Sequence, residues 1–135
     1  MSENKCIKFS LLVTANPVSS QKAATAYQFC EAAVQAGHQI CGVFFYLDGV
    51  LTANDLINPA SDEVNLTTRW AELALQYDIP LEVCVSAALR RGIVSKEEAE
   101  QLALSNYNLK HPFVLSGLGQ LAELSASCDR LVQFR

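Results

Sequence analysis

Five cysteines are the side chains of this sequence best suited to covalent chemistry. Their number is odd, their spacing is wide and no Cys-x-x-Cys pair occurs, so neither a disulfide framework nor a zinc site is predicted. A reducing compartment keeps such residues as separate thiols. The chemistry open to this chain is therefore that of one thiol at a time, and the five candidates are Cys6, Cys30, Cys41, Cys84 and Cys128.

Cys84 has the most informative surroundings of the five. It closes a short apolar run over residues 81–84, and we predict a buried strand there, a turn at 85–86, and one or two helical turns closed by Gly92. A thiol at the carboxyl end of a strand, followed by helix amides, occupies the place where open α/β sheets hold their chemistry. A helix N-terminus favours an anion by about 0.3–1 kcal/mol.

Two interpretations of Cys84 follow from its residues. Valines flank it and free cysteine is among the most often buried residue types, which favours a plain core position. Under the second interpretation Cys84 is a reactive thiol, and Ser86, Arg90 and Arg91 are candidates to support it. At about 1.5 Å per residue Arg90 begins roughly 9 Å along the chain, so only a side chain folded back, or one from a neighbouring subunit, reaches the sulfur. Otherwise both arginines complement the C-terminal end of the short helix.

The remaining cysteines are predicted to have no chemical role. Cys30 falls in an apolar stripe at helical spacing and Cys41 lies inside an apolar strand, which indicates core positions for both. Cys128 is expected to pack at the end of a helix. Cys6 is expected to be exposed near the N-terminus, with no neighbour that would activate it.

Other kinds of site find little support. Residues 117–122 match the dinucleotide fingerprint Gly-x-Gly-x-x-Ala, but the acidic residue expected about 20 positions later lies past the end of the chain, so tight helix packing is the better account. His38 is expected to serve a helix dipole, and neither it nor His111 forms a metal-ligand cluster. No serine lies in a Gly-x-Ser-x-Gly elbow, so a hydrolase triad is not predicted.

The elements that must position Cys84 alternate between strand and helix. Strands are predicted at 7–14, 39–46, 81–84, 112–115 and 129–134, with helices between them. One helix is expected to start at Ser19 or Ser20, the next at Ser61, and a third at a capping box over 95–98 that continues to about 106. The pattern is typical of a single α/β domain over residues 1–135, with a parallel sheet covered on both faces and a short polar extension at 1–6.

Composition excludes several classes of function. The net charge of −4 and the pI near 5.1 argue against direct binding to nucleic acid, no run is long enough to span a membrane, and a cytoplasmic protein is expected. Half of the residues are hydrophobic and only 18% are charged, against about 25% in an ordinary soluble domain. We therefore expect an oligomer. Apolar residues in the long connection at 48–63 either pack on the sheet or meet a partner.

Five segments carry a resemblance to a known family. Their order and spacing resemble the DsrE/TusD family of sulfur-relay proteins, from the first strand to the last residue. The most specific part is the cysteine followed by a small-residue helix and Arg-Arg-Gly. The resemblance implies a three-layer, DsrE-like fold. The segments are YQFCEAAVQAGHQICGVFFYLDGV, NPASDE, CVSAALRRGIV, LSGLGQLAE and CDRLVQF.

The resemblance also implies a chemistry and a set of partners. In this family the cysteine at the position of Cys84 accepts sulfur as a persulfide, with no metal or organic cofactor. The implied donor resembles TusA, the implied acceptor resembles TusE, and homologous subunits resembling TusB and TusC complete a heterohexamer. The sulfur would serve 2-thiolation of the tRNA wobble uridine, without this subunit touching RNA. Two alternatives stay open: DsrE-type sulfur trafficking in sulfur oxidation, and a non-catalytic structural subunit.

Overall fold

The sheet determines where Cys84 lies. The computed structural model describes residues 5–135, so residues 1–4 of the predicted polar extension lie outside the described residues. Within that range the strands are Lys8–Val13 (β1), Gln39–Phe45 (β2), Leu81–Cys84 (β3), Phe113–Ser116 (β4) and Arg130–Phe134 (β5). They lie in the order β4-β3-β2-β1-β5 and all pair in parallel. The predicted α/β class with five parallel strands is confirmed.

The helices follow the strands and vary in length. They are Gln21–Gln35 (α1), Leu66–Tyr77 (α2), Val85–Arg90 (α3), Lys96–Gln101 (α4) and Leu118–Ser127 (α5), and a 3-10 helix at Leu47–Ala53 follows β2. The 3-10 helix occupies the first half of the predicted long connection and buries Val50 and Ala53. Part of that connection therefore packs on the domain. Across residues 5–135, no helix combines the length and the apolar character that a membrane span requires.

The strand order explains why helices cover both faces of the sheet. The chain steps from β1 to β4 in one direction and then returns past β1 to place β5, and right-handed crossovers put the returning connection on the opposite face. Trp70 of α2 packs on Phe45 with ring centroids 5.5 Å apart. Leu124 of α5 instead lies against Gly42. Because side chains alternate along a strand, Gly42 and Phe45 face opposite sides, so the fold has three layers.

β2 is the most completely buried strand. Val43, Phe44 and Phe45 each have no exposed surface. The Phe45 ring contacts both Trp70 and Phe113, at 5.5 and 5.8 Å between centroids. An apolar run without alternation is what a strand covered on both faces requires.

The start of α2 differs from the prediction. Ser61 was expected to cap this helix, but Asn65 is the N-cap and accepts a hydrogen bond from the amide of Thr68 at 3.2 Å. Ser61 lies in an exposed turn. The acidic pair at 62–63 therefore precedes the helix and does not occupy its first turn. Asparagine is as good a cap as serine, so the sequence offered two equivalent starts.

Two further expectations were wrong. α4 ends at Gln101, well short of residue 106, because Ala103 adopts a left-handed conformation (φ 55°) and the Leu104 amide bonds back to the Ala99 carbonyl. This terminating motif usually carries glycine, so alanine gave no signal.

Tight packing also fails to explain Gly117 and Gly119, since a Cβ at either position meets no atom within 4 Å. The first turn of α5 is exposed there.

Candidate functional site

Cys84 is the last residue of β3 and the N-cap of α3. Its backbone is extended and Val85 already begins the helix, so the turn predicted at 85–86 is instead the first helical turn. The strand is held in place because Leu81 and Val83 point into the core and have 1% or less exposed surface. Cys84 itself is 1% exposed. The thiol therefore lies at the carboxyl edge of the sheet but beneath the surface.

Ser86 is the polar side chain in contact with the thiol. The Ser86 Oγ lies 3.5 Å from the Cys84 Sγ, and either atom can donate the hydrogen bond. Ser86 is exposed, whereas Ala87 and Ala88 behind it are buried. The small residues of α3 let this short helix pack closely behind the cysteine, and the serine is an exposed residue next to the buried sulfur. Of the three candidate supporting residues, Ser86 is therefore the one whose side chain contacts the sulfur in this structure.

The two arginines have different positions. Arg91 donates from Nε to the Asp48 Oδ1 at 3.0 Å and from Nη1 to the carbonyl of Ala87 at 3.1 Å. These bonds tie the C-terminal end of α3 to the 3-10 helix that follows β2. Arg90 is exposed on the same helix. The structure thus gives Arg91 a role in positioning α3, and it brings neither guanidinium into hydrogen-bond contact with the sulfur.

Ser116 is a neighbour of Cys84 that sequence reasoning did not single out. The two residues are register partners at the ends of β3 and β4. Within residues 5–135 the Ser116 Oγ is buried and has no hydrogen-bond partner. The only sequence signal was its place in the LSGLGQLAE segment, between a strand and a helix. The pairing of β3 with β4 is what brings this hydroxyl next to the cysteine.

The site lies away from the point where the strand order reverses. In the order β4-β3-β2-β1-β5 that reversal is between β1 and β5, which is where open parallel sheets form a crevice for small ligands. Cys84 is on β3, next to the edge strand β4. Clefts of about 440 and 290 Å³ lie against α1 and the segment at 57–67, and Cys84 lines neither. Cys84 also lines none of three further clefts, although one of about 680 Å³ runs along β4 at residues 113–115.

Two apolar side chains close to the site in sequence are exposed. They belong to β4 and α5, and α5 packs mainly on β1, β2 and β5. Val114 of β4 is 53% exposed and Leu118, at the start of α5, is 51% exposed. Val114 lies two residues before Ser116 in the sequence and Leu118 lies two residues after it. This surface is the kind that protein partners cover.

The other thiols differ from Cys84 in place and environment. Burial raises the pKa of Cys30, in the stripe of α1, to about 12, and the Glu31 carboxylate adds to the effect. Cys41 was predicted to be core but is only partly buried; its pKa is raised by burial first and by the nearby Cys128 second. Cys6 is exposed, as predicted. Cys128 is also only partly buried, so a labelling experiment must remove Cys6 and resolve the remaining thiols peptide by peptide.

The two histidines do not form part of a metal site in the described part of the chain. No three His, Cys, Asp or Glu side chains lie close enough together there to bind a metal ion. His38 was expected to serve the dipole of α1. Its Nδ1 instead accepts a hydrogen bond from the amide of Ile7 at 3.1 Å. It therefore anchors the chain just before β1, and a structural role replaces the predicted one.

Comparison with known proteins gives a consistent result. A family model described as DsrE/DsrF-like matches residues 8–134. Proteins described as "Sulfurtransferase TusD" from Yersinia pestis (strain Pestoides F) and Yersinia pseudotuberculosis (serotype O:1b, strain IP 31758) are each 53% identical over 128 residues, covering 95% of this chain and 98% of theirs. The crystal structure of the ychN protein from E. coli superposes with a TM-score of 0.74 at 16% identity, covering 95% and 99% of the two chains, and shows the shared fold. The chain belongs to the DsrE/DsrF-like family and, within it, to the sulfurtransferases.

Proposed function

We propose that this sulfurtransferase relays sulfur as a persulfide on Cys84. The observation that carries the proposal is the position of that thiol. Cys84 ends a strand at the carboxyl edge of the sheet, with a serine hydroxyl 3.5 Å from its sulfur. Cys30, the other fully buried thiol, faces the core from within α1. Near-complete coverage of the chain by sulfurtransferases at 53% identity supports the same chemistry.

The transfer has two balanced steps. The Cys84 thiolate attacks the outer sulfur of a donor persulfide, a new S–S bond forms to Cys84, and the donor S–S bond breaks with its electron pair leaving as the donor thiolate. The acceptor thiolate then attacks the outer sulfur on Cys84 and releases the Cys84 thiolate. One S–S bond forms and one breaks in each step, so no oxidant, metal or organic cofactor is required.

Burial of the thiol makes access part of the mechanism. Cys84 is 1% exposed, and Ser86 is its exposed neighbour, so the approach to the sulfur passes the first turn of α3. α3 has only six residues, and helices this short depend on packing more than on their own hydrogen bonds. Spontaneous opening of this turn exposes the sulfur slowly to small thiols and persulfides in solution, and a docked partner that shifts the turn exposes it faster.

The partners we propose are proteins. A TusA-like protein donates sulfur, a TusE-like protein accepts it, and homologous TusB- and TusC-like subunits complete a hetero-oligomer in the cytoplasm. The sulfur then serves 2-thiolation of the wobble uridine of tRNA. The exposed apolar residues Val114 and Leu118 beside the site, together with the net charge of −4, support protein partners over direct contact with RNA.

One observation favours a second candidate function. Cys84 belongs to the main hydrophobic core cluster, as a purely structural cysteine does. Under that alternative the chain completes an assembly and carries no sulfur. A relay protein of sulfur oxidation would share the Cys84 chemistry and differ only in its final acceptor.

Persulfide loading separates the first two candidates. The full chain carrying Cys6→Ser is incubated with cysteine persulfide, digested, and analysed by peptide mass spectrometry. We expect the mass of one added sulfur atom on the Cys84 peptide. The same chain with Cys84→Ser should gain none, and Cys30→Ala is the matched control that should still load.

Sulfur spread equally over several cysteine peptides, or none on Cys84 even when the homologous subunits are present, would support the structural subunit. Loading on Cys84 leaves the pathway to be assigned. For that, thiolated tRNA is measured in cells whose chromosomal copy carries Cys84→Ser. Loss of 2-thiouridine supports the tRNA pathway, and its retention favours sulfur oxidation.

A further inference from the structure

Ser116 carries an inference that rests on the proposed relay through Cys84. Its hydroxyl oxygen is buried and makes no hydrogen bond within residues 5–135. Buried hydroxyl groups are almost always paired, because leaving one unpaired costs a large part of its lost hydration. An unpaired hydroxyl next to a reacting group therefore indicates a partner that arrives during function.

The register of the sheet places that hydroxyl beside the thiol. Cys84 and Ser116 are paired Cα partners on adjacent parallel strands, which lie about 4.8 Å apart, and such partners project from the same face of a sheet. The Ser116 hydroxyl does not bond to the Sγ in the unloaded chain. A persulfide extends the side chain by one S–S bond of about 2.05 Å, so the outer sulfur has a reach that the Sγ lacks.

The chemistry of the loaded sulfur suits this partner. The outer sulfur of a persulfide carries negative charge as an anion, and a serine hydroxyl is a donor that can rotate to meet it. α5 begins two residues later at Leu118, and its N-cap, Gly117, contributes no side-chain hydrogen bond. The positive end of that ten-residue helix adds to the preference for an anion at this place.

We infer that the Ser116 hydroxyl donates a hydrogen bond to the outer sulfur of the Cys84 persulfide and holds it between the loading and transfer steps. Ser86 bonds the inner sulfur and Ser116 bonds the outer one. No bond forms or breaks at Ser116, and its proton stays on its oxygen. The residue therefore stabilises the loaded state and makes no hydrogen bond to the unloaded thiol.

The test compares the loaded and unloaded forms of the same variants. Full-length chains with Cys6→Ser are combined with Ser116→Ala, Ser116→Thr or, as a matched control at the other end of α5, Ser127→Ala. Each is loaded with cysteine persulfide. The alkylation rate of the outer sulfur is then measured against pH by mass spectrometry, alongside the alkylation rate of the unloaded Cys84.

We expect Ser116→Ala to move the midpoint of the loaded-form pH profile up by about one unit, which corresponds to losing one hydrogen bond to a charged group. Its unloaded Cys84 should react at the wild-type rate. Ser116→Thr keeps the hydroxyl and should restore the midpoint, and Ser127→Ala should not move it.

Three results would overturn the inference, and they are distinguishable. An unchanged midpoint in Ser116→Ala means that the hydroxyl does not bond the loaded sulfur. Equal changes in the loaded and unloaded forms mean that Ser116 only maintains the local structure. Failure of the parent chain to load Cys84, even when the homologous subunits are present, refutes the relay proposal on which this inference depends.

Discussion

Cys30 and Cys84 are both buried thiols with different neighbours. Cys30 lies on the inner face of α1, where burial and the Glu31 carboxylate both oppose ionisation and raise the pKa of its thiol to about 12. Cys84 lies at a strand end with two serine hydroxyls nearby, one of them in hydrogen-bond contact. The two buried thiols thus have different surroundings, with a carboxylate next to Cys30 and a serine hydroxyl 3.5 Å from the sulfur of Cys84.

The raised pKa of Cys30 predicts how stability changes at alkaline pH. Below about pH 9, the ordinary thiol pKa, folded and unfolded chains both keep the proton, so Cys30 adds no pH dependence. Between about pH 9 and about pH 12 the unfolded chain loses that proton first, so the free energy of unfolding falls, by at most about 1.4 kcal/mol per pH unit. Urea midpoints measured at several values of pH should show this decline.

Cys30→Ala isolates the effect from other groups that titrate in the same range. The variant is less stable at every pH because it leaves a cavity, but its stability should decline less steeply above about pH 9. Parallel declines in the parent chain and the variant would show that Cys30 is not the responsible group.

Among the elements, α2 begins at a different cap from the one predicted, with Asn65 in place of Ser61. Asn65→Ala removes the side chain that accepts the Thr68 amide and should lower the free energy of unfolding by about 1 kcal/mol. Ser61→Ala, at the cap that was predicted, should change it by less than about 0.5 kcal/mol because Ser61 is exposed. Urea unfolding of both variants decides between the two caps, and a larger loss for Ser61→Ala would restore the original assignment.

The elements themselves could largely be predicted because their signals are local. β2 was recognisable as a run of apolar residues, and Ser20 caps α1 as expected. The end of α4 could not be predicted in this way, because Ala103 adopts a left-handed conformation there that glycine usually adopts. Local reasoning also places Cys84 at the carboxyl end of its strand, since a single stretch of chain determines that position.

The partners around Cys84 could not be predicted in the same way. Ser116 becomes its neighbour only through the pairing of β3 with β4, and Asp48 meets Arg91 across 43 residues of sequence. Register between strands depends on the whole core, so no local pattern reveals it. Sequence reasoning therefore placed the thiol correctly at the end of its strand but missed the second hydroxyl beside it.

At the scale of the whole molecule, side-chain contacts join the loops at the carboxyl edge. Arg91 pairs with Asp48, and Asn108 links three segments that are far apart in the chain. The Asn108 Oδ1 accepts the amide of Val94 at 2.8 Å, and its Nδ2 donates to the Gly92 carbonyl and to the Asn54 Oδ1, both at 3.1 Å. Together with backbone hydrogen bonds from Asp55 to the Asn108 carbonyl and from Asn108 to the Val94 carbonyl, this side chain holds the exit from α3 against the segment that follows the 3-10 helix.

Asn108→Ala should therefore destabilise the fold well beyond the loss of one contact. The variant leaves the buried Val94 amide without its partner and removes the part-buried bond to the Gly92 carbonyl, and we expect a loss of about 2–4 kcal/mol in the free energy of unfolding. Asn106→Ala is the matched control two residues away, where an exposed side chain bonds only to Ser105, and it should cost less than about 0.5 kcal/mol.

Thermal unfolding and persulfide loading of both variants, at a temperature where each is folded, measure two separate consequences. A low melting temperature with normal loading of Cys84 in Asn108→Ala means that the network supports the fold alone. In the alternative outcome, loading falls by more than the loss of folded protein accounts for. That result means that the exit from α3 also controls access to the sulfur, which the proposed approach past the first turn of α3 requires. Equal stability of the two variants would show that the three segments are held by their core contacts and not by Asn108.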